Sequence, residues 1–297
     1  MTRARQGLSL VEVLVALPLI ALLGVVAVRL LLAVYQQTLQ VEGAIGAARE
    51  VRHAASVLAA ELRVIRPVDL VAWSDTAVEF EGTVGVGITC AWHPGRTQLL
   101  LLGADSATRL PDALSTTWNQ PPQPGDRVGY WLAGASPTDS LRAAEGTVRA
   151  IASSQDCAQS PLIRSRTLAT LRLTLLDSIA GNVATGTPVR VTRRTRFSLY
   201  RAGDGDWYLG RRTRSAIGWD VVQPVAGPLQ SARDRGLELH VHDQQGSLLD
   251  STAAAAATRA SIVLRAPRRS GRASPRIVTV DSVFINVAFR ADRSGDA

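Results

Sequence analysis

Apolar and polar positions alternate in three different ways along the chain. Residues 8–34 form an almost unbroken apolar run, charged only at Glu12 and Arg29. About 20 apolar residues suffice to cross a bilayer as a helix, so this run predicts a transmembrane segment. It is longer than the apolar core of an ordinary secretory signal, roughly 7–15 residues, and no small-x-small cleavage site follows it cleanly. Arg3 and Arg5 precede the run. Positive residues on that side favour a cytoplasmic amino terminus and place the bulk of the chain outside. Pro18 removes one helical hydrogen bond and crowds the carbonyl of Leu14, so a local kink or break is expected there.

Beyond Tyr35 the text turns polar but keeps a repeat of three and four residues. Val41, Ala44, Ala48, Val51, Ala55, Leu58, Leu62 and Ile65 make a stripe along one helix face,. Charged residues such as Arg49, Arg52, Glu61 and Arg63 lie off it. Pro67 ends the pattern, because the residue before a proline avoids the α region. The two regimes together predict one helix over 8–66, with a membrane half (8–34) and an amphipathic half (35–66). The stripe suits packing on the protein's own domain; a coiled-coil seam is the alternative.

From residue 67 to 297 the pattern shortens to β-type runs between turn residues. Strands are predicted at 77–80, 85–92, 97–102, 127–132, 146–152, 167–175, 188–200, 206–211, 237–242, 261–265 and 277–290. Residues 115–126, 201–205 and 266–275 read as loops, and 253–257 as a short helix or loop. The fold class is therefore α+β: a long amino-terminal helix and a β-rich, mainly antiparallel head.

Composition adds less. The chain has 297 residues, 46% of them hydrophobic, enough for one substantial core or two modest ones,. Its formal charge is +8, and the sequence contains no Lys, so all 33 cations are Arg. A GC-biased genome is the default explanation, ahead of a role for Arg forks in binding phosphate or carboxylate. Cys90 and Cys157 are its two cysteines. They form no metal-type cluster, and they are a candidate disulfide if the head lies outside the cytoplasm.

The stretch Gly7-Leu8-Ser9-Leu10-Val11-Glu12, behind a short basic leader, resembles the prepilin cleavage and methylation motif of type IV pilins and type II secretion pseudopilins. The resemblance implies a leader (1–7) removed after Gly7 by a prepilin peptidase, and N-methylation of the new first residue, Leu8. The family most often has Phe there, so methylation is the less secure implication. Cleavage after Gly7 makes Glu12 the fifth residue, the family's assembly glutamate. The order RRTRFSLYRAGDGDWYLGRRTR, QPVAGPLQSARDRGLELHVHDQQG, SIVLRAP and IVTVDSVFINVAF is similar to the tail of J-type minor pseudopilins and large minor pilins. Asp243-Gln244-Gln245-Gly246 would be its turn, although the Asn that often ends the family's last strand is missing after Arg290.

The resemblance implies a structural subunit of a pilus or pseudopilus, near its tip. It would be anchored in the inner membrane with its head outside, and its partners would be other pilin or pseudopilin subunits and the peptidase. Two alternatives stand beside it: a DNA-binding minor pilin, and a generic single-pass anchored protein. For the DNA reading the candidate patch is Arg265, Arg268, Arg269, Arg272 and Arg276. A second basic cluster is Arg193, Arg194, Arg196, Arg211, Arg212 and Arg214, with a solvated basic surface as the default for both. His240 and His242 share a strand face but lack a third ligand, and Asp204 and Asp206 in GDGD suit a hairpin turn better than a calcium loop. No enzymatic activity, cofactor or metal site is expected, since no G-x-S-x-G, H-E-x-x-H or P-loop is present,.

Overall fold

The computed structural model describes residues 10–92, 97–102, 117–134, 140–154, 157, 170–267 and 280–290. Helix α1, Leu10–Arg63, has 54 residues and passes through Pro18 without interruption. At 1.5 Å per residue it is about 80 Å long. The break expected at Pro18 is absent. The helix also ends three residues before Arg66. Arg66 already has extended backbone (φ −90°, ψ 158°), the conformation Pro67 imposes on it, and caps a 3-10 turn at Pro67–Asp69,.

The head contains β1 (Leu70–Ser74), β2 (Ala77–Trp92), β3 (Gln98–Leu102), β4 (Thr117–Trp118), β5 (Arg127–Leu132), β6 (Arg142–Ser154) and β7 (Thr170–Leu175). There follow β8 (Pro188–Arg201), β9 (Trp207–Ser215), β10 (Gly218–Trp219), β11 (Gln223–Leu229), β12 (Leu237–His242), β13 (Arg259–Pro267) and β14 (Val280–Ala288). Every pairing among them is antiparallel. Strand β2 pairs with β3, β3 with β7, β7 with β6, β6 with β5, β5 with β8, and β8 returns to β2. The circuit closes, so these six strands form a barrel with no free edge along that path. Its interior is filled by Val84, Leu99, Leu101, Val128, Val148, Leu173, Val189 and Val191.

A second core lies beside the barrel. It joins Val51, Ala55, Leu58 and Leu62 of α1 to Phe80, Phe197 and Leu209, and to Leu239, Ile262, Leu264 and Val287 of the three-stranded sheet β12–β13–β14. Strands β2 and β8 belong to both cores. Val78 and Phe80 of β2 face the helix core while Val84 faces the barrel. Likewise Phe197 of β8 sits in the first and Val189 and Val191 in the second. The rings of Phe80 and Phe197 stack 6.1 Å apart where the helix core begins.

Single-strand β2 corrects the expectation of two strands separated at 81–84. Gly82, Gly85 and Gly87 imitate a turn, but Gly82 and Gly87 serve close packing. A Cβ at Gly82 would lie 3.1 Å from Thr195 Oγ1, and one at Gly87 3.1 Å from Leu101 Cδ1. The register slips between Thr83 and Gly85, which leaves a bulge rather than a break,. Strands β1, β10 and β11 were not expected, and β4 falls in a predicted loop. Pro224, Gly227 and Pro228 disguise β11, which the ladder tolerates by slipping register twice against β9,. Asp243–Gly246 is a turn: the Gly246 amide donates to the Asp243 carbonyl at 3.2 Å, and Gly246 has φ +89°.

Candidate functional site

Three features have the placement to act on something outside the chain. These are the helix end, a charged seam between the two cores, and the outer wall of the barrel.

Along α1, Leu14–Thr38 is long and apolar enough to cross a membrane. Every side chain from Leu14 to Thr38 is exposed, and 25 residues of helix span about 37 Å against a hydrocarbon core of about 30 Å,. Burial begins only near Ala47. Val41 and Ile45 are exposed, whereas Val51, Ala54, Leu58 and Leu62 are buried. The apolar stripe therefore meets the head a full two turns later than Val41. The backbone of Glu12 is helical, but its side chain lies outside the described residues, as do Gly7 and Leu8.

The seam is where β2 and β8 change cores. Arg193, 5% exposed, donates to both Asp126 carboxylate oxygens at 2.7 and 2.9 Å, to Gln120 Oε1 at 3.1 Å and to the Pro121 carbonyl at 3.0 Å. Asp126, 1% exposed, also accepts the Gln123 amide at 2.7 Å. Such a pair is tolerated in the interior because nearly every hydrogen-bonding group is matched. Nearby, Asp69 takes Arg190 at 2.8 Å and Arg66 at 3.1 Å. Burial disfavours the charged form of Asp69, but the hydrogen bonds from Arg66 and the charge of Arg190 outweigh it and hold the carboxyl below its ordinary value,. Glu81 is the opposite case. It is 7% exposed, with Arg127 3.9 Å away and a long hydrogen bond of 3.4 Å from Thr192. Burial pushes its carboxyl up, and Arg127 and Arg194 offset this only in part.

Four of the six arginines of the second basic cluster are thus engaged within the head. Arg193 is buried in its ion pair, Arg194 and Arg196 both reach Glu79, and Arg212 stacks over Trp219 at 4.9 Å. Arg265 is also engaged, with Glu238 at 2.6 Å and the Arg235 carbonyl at 2.7 Å. Its companions Arg268, Arg269, Arg272 and Arg276 lie outside the described residues. Asp126, Asp69 and Glu81 went unnoticed in the sequence. The available signal was a carboxylate embedded in an apolar or Pro/Gly-rich strand border, as in PPQPGDRV and EFEGTVG.

Cys90 and Cys157 are bonded to one another, with their Cα atoms 5.8 Å apart. Both are buried with Leu100 and Leu102 on the face of β3 opposite the barrel interior. His242 receives or donates at 2.9 Å to Ser261 Oγ and contacts the Gly246 carbonyl at 3.2 Å. A backbone carbonyl stands where a triad would need a carboxylate, so the pair fastens the β12 turn. Among the described residues no three His, Cys, Asp or Glu gather as a metal site. The GDGD segment is a hairpin turn, with Tyr208 and the Asp206 amide both donating to Asp204.

Neither a family model, a curated protein nor a solved structure matches the chain.

Proposed function

We propose that the protein is a structural minor pilin or pseudopilin. It is inserted in the bacterial inner membrane with its head outside, cleaved after Gly7, and assembled through α1 into a type IV pilus or type II secretion pseudopilus, near the tip. The observation that carries this reading is the order Gly7, Leu8, Glu12 at the head of an apolar helix whose Leu14–Thr38 stretch finds no cover on its own head.

The chemistry gives Glu12 a purpose. Cleavage creates an α-amine at Leu8, a cation near neutral pH, and N-methylation leaves it basic. An isolated carboxylate costs roughly 2.5–3.5 kcal/mol at the centre of a membrane helix, and less toward an end. Glu12 and the amine of a neighbouring subunit offset each other's cost when helices bundle, and fix their register as they do so. Glu12→Leu tests this: the variant is expected to insert in the membrane normally and to be lost from assembled filaments. Undiminished incorporation of Glu12→Leu would argue for a generic single-pass anchor instead.

A further inference from the structure

The barrel carries an aromatic side chain on its wrong side. Val128, Tyr130 and Leu132 of β5 are buried in the interior, so the alternate residues Arg127, Gly129 and Trp131 point outward,. Trp131 is 36% exposed. The registers place its neighbours. Gly129 lies between Glu145 of β6 and Arg190 of β8, Trp131 lies opposite Ala143, and Arg127 lies between Thr147 and Thr192. A Cβ built at Gly129 would meet nothing nearer than the Arg190 carbonyl at 3.9 Å. The result is a dimple floored by Gly129, with the Trp131 indole on one side and the Arg127–Glu145 ion pair on the other. It opens into a cleft of about 1470 Å³ that runs past Asp69 toward the end of the helix.

Around the dimple the charges pair off, and the rest of the cleft is lined also by Glu61, Arg193, Arg211 and Arg290. Arg66, Arg127 and Arg190 face Asp69, Glu81 and Glu145, and each of the arginines has a carboxylate within 4 Å. A phosphate or an acidic peptide would have to displace those carboxylates, and a basic one the arginines. A neutral ligand rich in hydroxyls has no such conflict. It takes acceptors and donors from ion pairs that are half exposed, as Arg127 and Glu145 are, while the paired charges remain neutralised,. An aromatic plane beside a small residue supplies the apolar contact that the C–H face of a sugar ring needs.

We propose that this dimple binds one ring of a neutral oligosaccharide, stacked on Trp131 and hydrogen-bonded to Arg127 and Glu145, with the rest of the glycan lying along the cleft. The dimple is built by β5, β6 and β8 of the barrel, so it stands whether or not the chain forms filaments.

The test uses the full chain in a detergent without a sugar headgroup, probed by saturation-transfer NMR and calorimetry with maltohexaose, cellohexaose and chitohexaose. Saturable binding of at least one is expected. Trp131→Ala and Gly129→Val, the second filling the dimple without disturbing the core, should each weaken it by about tenfold or more. Trp131→Phe should retain most of the affinity, and Phe284→Ser on β14 should change nothing. The proposal is overturned if none of the three hexasaccharides binds, or if Gly129→Val binds as well as the parent. It is also overturned if a single-stranded DNA oligonucleotide binds at this wall in preference to all three. In the first two of these cases Trp131 serves only to shield the backbone at Gly129.

Discussion

The helix core and the barrel share two strands but close in different ways. The barrel is sealed by its own hydrogen bonds: six strands return to their start, and Leu99, Leu101, Leu173, Val189 and Val191 need no other element to cover them. The helix core is open by comparison. Its sheet face is covered by one stretch of α1 from about Ala47 to Leu62, and every described side chain of that helix from Leu10 to Ile45 is exposed. One region is self-sufficient, and the other leaves the apolar half of its helix uncovered. Strands β2 and β8 make the two mechanically one, and the Arg193–Asp126 pair sits where they change sides.

Breaking that join is expected to have the largest effect. Asp126→Asn leaves Arg193 charged and buried without a counter-ion, which typically costs about 3–5 kcal/mol. Denaturant unfolding of the full chain should show both cores weakened together, because β2 and β8 cannot detach from one alone. Loss of protection confined to the barrel would mean that the shared strands do not couple the regions.

Reduction of Cys90–Cys157 should act first on the barrel side. The bond closes a loop with a sequence separation of 67, and its loss is expected to cost about 2–4 kcal/mol,. Hydrogen exchange through local opening should quicken most in β3 and β7, beside the bond, and least in β12 and β13. Equal acceleration in both sheets would erase the distinction drawn between the regions.

A smaller effect, of opposite sign, is expected at Glu81. Its folded carboxyl is raised by burial above the ordinary 4.5. In the window between those two values the folded state holds more protons than the unfolded one, so its contribution to stability falls as pH rises through the window. Asp69 is lowered from 3.8 and works the other way, adding stability above that value that is lost as pH falls through its folded value,. Glu81→Gln should therefore raise stability at neutral pH and remove the decline above pH 4.5, while the acid-side loss due to Asp69 remains. Stability measured by urea titration across pH 3–8 checks this, and an unchanged profile would place Glu81 in water rather than at the seam.

Local pattern carried part of this architecture. The alternation in LELHVH predicted β12 with its bounds, Leu237–His242, because three apolar residues face the core and three polar ones do not. The apolar run and the stripe through Leu58 and Leu62 predicted the helix, since a 3.6-residue period survives any tertiary context. Barrel closure was invisible. It rests on β2–β8 pairing between residues 100 or more positions apart, and no window of sequence reports such a partner. Arg193 was read as surface for the same reason: its counter-ion, Asp126, lies 67 residues away. Glycines misled at 82–87, where the lack of a side chain at Gly82 and Gly87 serves close packing and not a turn. The outward Trp131 became meaningful only once β5 had an inside.

Intact-mass and amino-terminal peptide mass spectrometry of the membrane-extracted protein tests cleavage after Gly7 most directly. The account predicts a mature chain beginning at Leu8, with or without an added methyl group. A chain retaining Met1, or one cut far from Gly7, would contradict it.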